Sequence, residues 1–248
     1  MQQPTEGHTI IRYDGELNKL HMLMLEMGSL VLDQVQTALK ALKDEDLSAA
    51  RLVLVREHKV DDLEIQADDE VVSVIARRGP VARDLRIIIA FSKTTTDLER
   101  IGDEAARIAS IIEEMYESGS SHPSGQLMRD VHVMGALAVN MLGKALGIID
   151  GLNADDAEEM AKGQFELDAE FRSSMRRLTT FVLEDARNVG HAIYITLIIK
   201  ALERIGDHSR NLAEYVVYLM SGDDIRHRLK SLIPKTATGN HKGSDNQS

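Results

Sequence analysis

The sequence predicts an all-α protein made of two tandem, similar three-helix bundles, with six long helices related by an internal duplication. Apolar residues recur at spacings of three and four along most of the 248 residues, and no convincing alternating strand interrupts them. The four prolines all lie where this periodicity breaks. The segment Leu98–Asp103 recurs letter for letter as Leu202–Asp207, 104 residues later. These three observations predict three helices in each half.

The first half contains three periodic segments. Its first segment carries an apolar face that includes Met24 and Val31, and Asp14 is its predicted N-cap. Asp46 is the predicted N-cap of the second segment, and Gly79 follows that segment directly before a proline. The third segment contains the first copy of the repeated hexapeptide. The predicted helices of this half are 14–43, 46–78 and 81–117.

The second half repeats this order. Asn153 or Asp155 is the predicted N-cap of its middle helix, and the last helix contains the second hexapeptide. The predicted helices are 125–150, 154–185 and 189–221. The predicted domain organisation comprises repeats at 14–118 and 125–228, with flexible termini at 1–13 and 234–248.

Composition excludes several classes of protein. The absence of cysteine excludes disulfides, thiolate zinc sites, iron–sulfur clusters and cysteine nucleophiles. A formal net charge of −11 and only nine Phe and Tyr residues argue against nucleic-acid binding. The polar N-terminal residues 1–15 and the lack of a long apolar run predict neither a signal peptide nor a membrane span. We therefore expect a cytoplasmic protein.

The repeated hexapeptide places two acids on one helix face in each half. Glu99 lies four residues before Asp103, and Glu203 lies four residues before Asp207. Carboxylate oxygens suit Mg²⁺, Mn²⁺, Ca²⁺ or iron better than copper or zinc. The glycine inside each copy indicates close approach by another helix or a bound group, because glycine is unfavourable in helices. The spacing predicts a metal site in each half, and a solvated ion-pair surface is the alternative.

Two further acids interrupt apolar stripes at corresponding places. Asp61 falls on the seven-residue register of 47, 54, 68 and 75, and Asp168 falls on that of 161, 175 and 182. A carboxylate pointed at a core requires a cation or a metal ion. We expect Asp61 and Asp168 to lie near the acid pair of their own half. A buried salt bridge to Arg100 or Arg204 is the alternative.

No catalytic motif accompanies these acids. The nine histidines show no Glu-x-x-His spacing, which excludes the ferritin-like di-iron motif, and His208 is a weaker candidate ligand. The sequence contains no glycine-rich phosphate loop, HExxH motif or nucleophile elbow. It therefore predicts a protein that is not an enzyme.

The motifs together resemble the PhoU family over residues 14–228. The likeness rests on segments that occur in the family's order in both halves: Arg77–Arg86, Asp97–Asp103, Leu202–His208, Asn211–Tyr218 and Gly222–His227. The resemblance implies two similar three-helix bundles and no catalysis. It also implies that the family's acid-x-x-x-Asp motif, here Glu99/Asp103 and Glu203/Asp207, binds iron, Mg, Mn or Zn, with Asp97 as the next ligand. Ala201 stands where the second half would carry that acid, so its site is expected to be poorer in carboxylates.

The resemblance further implies a role in phosphate homeostasis. PhoU-like proteins restrain phosphate transport and keep phosphate-starvation two-component signalling off. The implied partners are the ATPase subunit of the phosphate ABC transporter and a phosphate-sensing histidine kinase, so any membrane association is through these partners. A homodimer is expected from the long amphipathic faces. The alternatives are a carboxylate-bridged metalloenzyme and a metal-free helical scaffold.

Overall fold

A computed structural model describes residues 5–117, 123–163, 165–185 and 189–221. Within these ranges the chain forms seven α-helices and no strand. The helices are α1 (Thr5–Asp44), α2 (Leu47–Arg78), α3 (Ala82–Glu117), α4 (Gly125–Gly151), α5 (Ala154–Lys162), α6 (Phe165–Glu184) and α7 (Val189–Ser221).

The helices form two similar bundles. Helices α1, α2 and α3 pack against one another in the first bundle, and α4, α5 and α6 pack around α7 in the second. The two bundles meet mainly where α3 packs along α7, and α1 also contacts α4. The predicted all-α fold with an internal duplication is therefore confirmed. The repeated hexapeptides lie in the two central helices, so each bundle presents its copy beside the interface.

The core follows the predicted periodicity in α1 and α3. Met24, Met27 and Val31 of α1 are buried, as are Leu98 and Ile108 of α3. The leucine and isoleucine of the second hexapeptide are also buried, in α7. The local spacing of apolar residues was sufficient to predict the buried face of these helices, because each helix has one apolar stripe.

Two helix boundaries differ from the prediction. Helix α1 begins at Thr5, so Asp14 lies inside the helix rather than at its N-cap. The predicted helix 154–185 is two helices, because Gly163 ends α5 and its N–H bonds the carbonyl of Met160. Asp46 and Asn153 are confirmed as N-caps: each accepts hydrogen bonds from two backbone N–H groups of the helix it precedes. Residues 222–248, including the predicted tail, lie outside the described residues.

The predicted buried face of α2 was wrong. Ile75 is exposed, and so is the nearby Val72. The buried face instead carries Ala50, Val53 and Val60. Mostly small and β-branched residues of this face pack closely against α1 and α3, whereas Leu47 and Leu54 of the predicted stripe are only half-buried at the edge of the core.

Helix α4 is apolar along most of its length. In the described ranges it is the one helix whose length and composition would allow it to cross a membrane, with a mean hydropathy of 1.5 over the most apolar window of Leu127–Gly151. A single such helix is weak evidence for a span, because core helices of soluble proteins have the same character. Here α4 packs against α1, α6 and α7.

Candidate functional site

The first bundle brings five carboxylates together between α2 and α3. Glu57, Asp61 and Glu64 follow one another at spacings of four and three along α2, so they share a face of that helix. Glu99 and Asp103 lie on the α3 face that packs beside it, and charge repulsion couples acids of the two helices. We call these five residues the first-half acid cluster. The sequence predicted Asp61, Glu99 and Asp103 for this site, and the structure places all three in it.

Glu57 is the buried member of the first-half acid cluster. Its side chain packs against Gly102, where a Cβ atom would lie only 2.9 Å from Oε1. Glu57 is 9% exposed, and neither carboxylate oxygen has a hydrogen-bond partner in the described structure. The fully buried amide of Gln34 lies close enough to Glu57 to lower its pKa slightly, but the two side chains do not meet the distance and angle of a normal hydrogen bond. A buried, ionised carboxylate without a positively charged partner is costly. The carboxylate of Glu57 is therefore expected to hold either a proton or a cation.

The pKa values of two acids in the cluster are raised, because few positive charges lie near them. Burial, followed by repulsion from Asp103 and Asp61, raises the pKa of Glu57 to about 8. Burial and repulsion from Asp103 raise the pKa of Glu99 to about 7, and Arg100 offsets this only in part. At neutral pH a cation would therefore compete with protons for these oxygens.

The donor set fits a hard metal ion. Five carboxylates offer oxygen ligands, which Mg²⁺, Mn²⁺ and iron accept readily. In the part of the chain that the structure describes, no three acid or histidine side chains already converge closely enough to ligate one ion. Binding would thus involve rotation of the flexible Glu and Asp side chains of the cluster.

The second bundle has a smaller group of acids. Asp168 of α6 and Asp207 of α7 interact: burial raises the pKa of Asp168, repulsion from Asp207 raises it further, and Arg210 opposes both effects. Glu203 instead pairs with Lys200, one turn earlier on the same helix. The structure therefore brings the predicted acids Asp168 and Asp207 together and places a lysine on Glu203.

The structure does not bring Asp97 together with Glu99 and Asp103. Asp97 is 1% exposed; its Oδ1 hydrogen-bonds Nδ1 of His208 at 2.8 Å, and its Oδ2 accepts from the hydroxyl of Tyr215 at 2.8 Å. Burial alone would raise the pKa of Asp97, but these hydrogen bonds outweigh it and hold the pKa below its usual value. Asp97 thus ties α3 to α7, and the Nδ1 of His208 is used in the same contact.

The arginines of the repeated motif also serve the interface between the bundles. Nη1 of Arg204 lies 2.7 Å from Oε1 of the buried Glu104, and Nη1 of Arg100 lies 3.4 Å from Asp97. These are the arginines that the sequence offered as salt-bridge partners of Asp61 and Asp168. In the structure they instead pair with Glu104 and Asp97, at or beside the contact between α3 and α7.

Sequence reasoning missed Glu57 and Glu64. It placed the apolar stripe of α2 on the register of Asp61, whereas the buried register runs through 50, 53, 57, 60, 67, 71 and 74. On that register Glu57 is the charged residue among small and branched apolar residues. This interruption is the signal that would have identified it.

The comparisons with known proteins agree with this architecture. The family model described as PhoU domain matches residues 24–112 and 131–216, once in each bundle. The "Phosphate-specific transport system accessory protein PhoU homolog" of Pseudomonas aeruginosa is 38% identical over 220 residues, which cover 89% of this chain and 90% of that protein. The Escherichia coli "Phosphate-specific transport system accessory protein PhoU" is 29% identical over 220 residues, with 89% and 90% covered.

Two crystal structures have the same fold. PhoU from Pseudomonas aeruginosa superposes with a TM-score of 0.81 at 37% identity, covering 85% of this chain and 100% of that one. The phosphate transport system regulatory protein PhoU from Streptococcus pneumoniae gives a TM-score of 0.76 at 27% identity, covering 85% and 98%. The domain model matches twice, the relatives align over nearly the whole chain, and the two-bundle fold is shared. This chain therefore belongs to the PhoU family.

Proposed function

We propose that the protein is a non-enzymatic, cytoplasmic regulator of phosphate homeostasis that lowers phosphate transport and phosphate-starvation signalling when phosphate is plentiful. The relatives named as accessory proteins of phosphate-specific transport systems support the association with phosphate transport, because they align over most of their own length. The lack of a catalytic motif in the sequence supports an accessory role.

The protein would act as an adaptor. Its proposed partners are the ATPase subunit of the phosphate ABC transporter and a phosphate-sensing histidine kinase, with the protein itself a homodimer. Two bundles joined by close packing and polar side-chain contacts between α3 and α7 suit such a role, because they present long helix faces in a constant relative orientation.

The metal site of this adaptor is proposed to be the first-half acid cluster. The observation that carries the proposal is the carboxylate of Glu57, buried without a partner and facing Asp61, Glu99 and Asp103. A metal ion held by these residues would supply the positive charge that the cluster lacks and would link α2 to α3. Iron, Mg, Mn and Zn all fall within the proposed range, and oxygen ligands favour the first three.

We expect the Glu99→Ala/Asp103→Ala variant to lose most of the metal that copurifies with the protein, because two of its proposed ligands are removed. Elemental analysis of the purified proteins by mass spectrometry measures this directly. The matched control is Asp155→Ala/Glu159→Ala, which removes an exposed acid pair with the same spacing from α5 and is expected to retain wild-type metal content. Equal metal content in all three proteins would contradict the site, and a metal-free wild type would contradict metal binding altogether.

Deletion of the gene is expected to raise alkaline phosphatase activity severalfold in phosphate-rich medium, because the starvation response would no longer be kept off. A plasmid-borne wild-type copy should restore low activity, and the Asp155→Ala/Glu159→Ala control should do the same. Alkaline phosphatase that stays at the wild-type level in the deletion strain would rule out the regulatory role, whatever the metal content of the protein.

A further inference from the structure

The two halves can be compared residue by residue around their acid groups. Asp46 and Asn153 cap α2 and α5, and the same sequence offset pairs Asp61 with Asp168. The repeated hexapeptides pair α3 with α7 independently. Any difference between the two acid groups can therefore be assigned to particular substitutions within the duplication.

Two acids of the first-half acid cluster have no acidic counterpart. The offset pairs Glu64 with Phe171, which packs against the second core. It pairs Glu57 with Gln164, a neutral residue that lies outside the described residues. The second half is therefore left with Asp168, Glu203 and Asp207, which we call the second-half acid group.

The space beside the motif glycine is also used differently. In the first half the carboxylate of Glu57 lies against Gly102. In the second half the side chain of Leu167 fills this place, and a Cβ atom at Gly206 would lie only 2.0 Å from its Cδ2. Leu167, which the offset pairs with Val60, thus occupies the space beside the motif glycine that Val60 and the carboxylate of Glu57 share in the first bundle.

A lysine joins the second-half acid group. The hexapeptide offset pairs Lys200 with Thr96, whose side chain lies beside Glu64 in the first half. The ammonium group of Lys200 pairs with Glu203 and lies 5.2 Å from the ring centroid of Phe171, within the range of a cation–π contact. Where the first half has the neutral hydroxyl of Thr96, the second half therefore has the positive charge of Lys200, next to the motif acid Glu203.

Arginines balance the remaining acids. The guanidinium of Arg210 lies 3.8 Å from Asp207 and also lowers the pKa of Asp168, as does Arg172. In the first half, by contrast, Arg100 is the arginine that lowers the pKa of Glu64 and Glu99, and it also pairs with Asp97 outside the cluster. The second-half acid group thus has three cationic side chains, Lys200, Arg172 and Arg210, for its three carboxylates, so it needs an added ion less than the first-half acid cluster does.

We propose that the second half of this chain does not bind a metal ion, and that the ammonium group of Lys200 occupies the role that a metal has in the first half. This inference rests on the metal site proposed above and departs from a duplicated pair of equivalent sites. A tethered ammonium competes with a dissolved cation at high effective concentration, so it excludes metal even though the acid-x-x-x-Asp motif is intact. The duplicated protein then has one metal-responsive bundle and one in which the ammonium group of Lys200, 53% exposed at the bundle surface, stays paired with the motif acid Glu203.

The experiment is titration of the metal-stripped, full-length chain with Mn²⁺, followed by electron paramagnetic resonance of the free ion. We expect Glu203→Ala/Asp207→Ala to bind as much Mn²⁺ as the wild type and Glu99→Ala/Asp103→Ala to bind none. Loss of about half of the bound Mn²⁺ in Glu203→Ala/Asp207→Ala would overturn the inference while leaving the first site intact.

The role of Lys200 is tested in the Glu99→Ala/Asp103→Ala background. Adding Lys200→Thr, which introduces the first-half residue, is expected to produce Mn²⁺ binding that the background variant lacks, whereas Lys162→Thr at an exposed lysine of α5 should produce none. No gain with Lys200→Thr would overturn the assignment of Lys200. If the wild type binds no Mn²⁺, the proposed first-half site is wrong. Whether Lys200→Thr gains Mn²⁺ binding still decides the claim for the second half.

Discussion

Replacing Glu57 with Gln should make the metal-free protein more stable at pH 8, by a few kcal/mol. The pKa of Glu57 is raised from 4.5 to about 8 in the folded protein, and each pKa unit corresponds to about 1.4 kcal/mol. Gln has the same shape and no charge, so it fills the space beside Gly102 without the cost of a buried carboxylate. Thermal unfolding of the metal-stripped proteins, followed by circular dichroism, measures the difference.

The pH dependence follows from the same shift. Because the folded state holds the proton of Glu57 more tightly than the unfolded state, the metal-free wild type should lose stability as pH rises from about 4.5 to about 8. Below that window the acid is protonated in both states and makes no difference. Glu57→Gln should show a flatter profile, whereas Glu114→Gln, at an exposed acid of α3, should follow the wild type. Parallel profiles for wild type and Glu57→Gln would contradict the buried, unpaired state of Glu57.

Metal should reverse the order of stability. Mn²⁺ is expected to stabilise the wild type and to have little effect on Glu57→Gln, because a ligand that binds only the folded state raises its stability. A substitution that stabilises the metal-free protein and removes metal binding is typical of a residue selected for its ligand role.

Replacing Asp97 with Ala should destabilise the protein by a few kcal/mol, because each buried partner left without its hydrogen-bond acceptor costs about 1–3 kcal/mol. The substitution would leave His208 and Tyr215 without their shared acceptor at the contact between α3 and α7. Urea unfolding measures the loss, and Asp69→Ala at an exposed position of α2 is the control.

The milder Asp97→Asn variant separates the interface role from the ligand role that the family resemblance implies. Asn retains an acceptor for Tyr215 but removes the negative charge beside His208. We expect it to lose stability while keeping wild-type Mn²⁺ affinity. Loss of Mn²⁺ binding with unchanged urea stability would show instead that Asp97 is a ligand.

Much of the fold was predictable because its information is local or repeated. Helices α1 and α3 each carry a single apolar stripe, so their buried faces could be predicted from spacing. Side chains on these stripes, such as Met27 and Leu98, are buried as expected. The identical hexapeptides indicated the duplication without reference to any contact. The acid pair Glu99/Asp103 followed from helical spacing alone, since residues four apart share a face.

The remaining features depend on which helix packs against which. Helix α2 carries apolar residues on more than one face, so periodicity alone chose the stripe containing Ile75, which is exposed. Gly163 divides a helix that the first half keeps continuous, at a point where a Cβ atom would lie only 3.1 Å from the carbonyl oxygen of Glu159. Neither outcome follows from local spacing, because propensity differences at these positions are smaller than the energy of packing between helices.

The sequence by itself determined that this protein is an all-α duplication with no thiol chemistry and with a repeated acid motif suited to cations that prefer oxygen ligands. Only the tertiary structure decided which acids face one another. The carboxylate of Glu57 in α2 packs against Gly102 of α3, where no side chain blocks it. Asp97 instead hydrogen-bonds His208 of α7 and so links the two bundles. The physical reason is that burial and charge pairing are properties of neighbouring helices, so residues distant in sequence give each carboxylate its partner, or leave it without one.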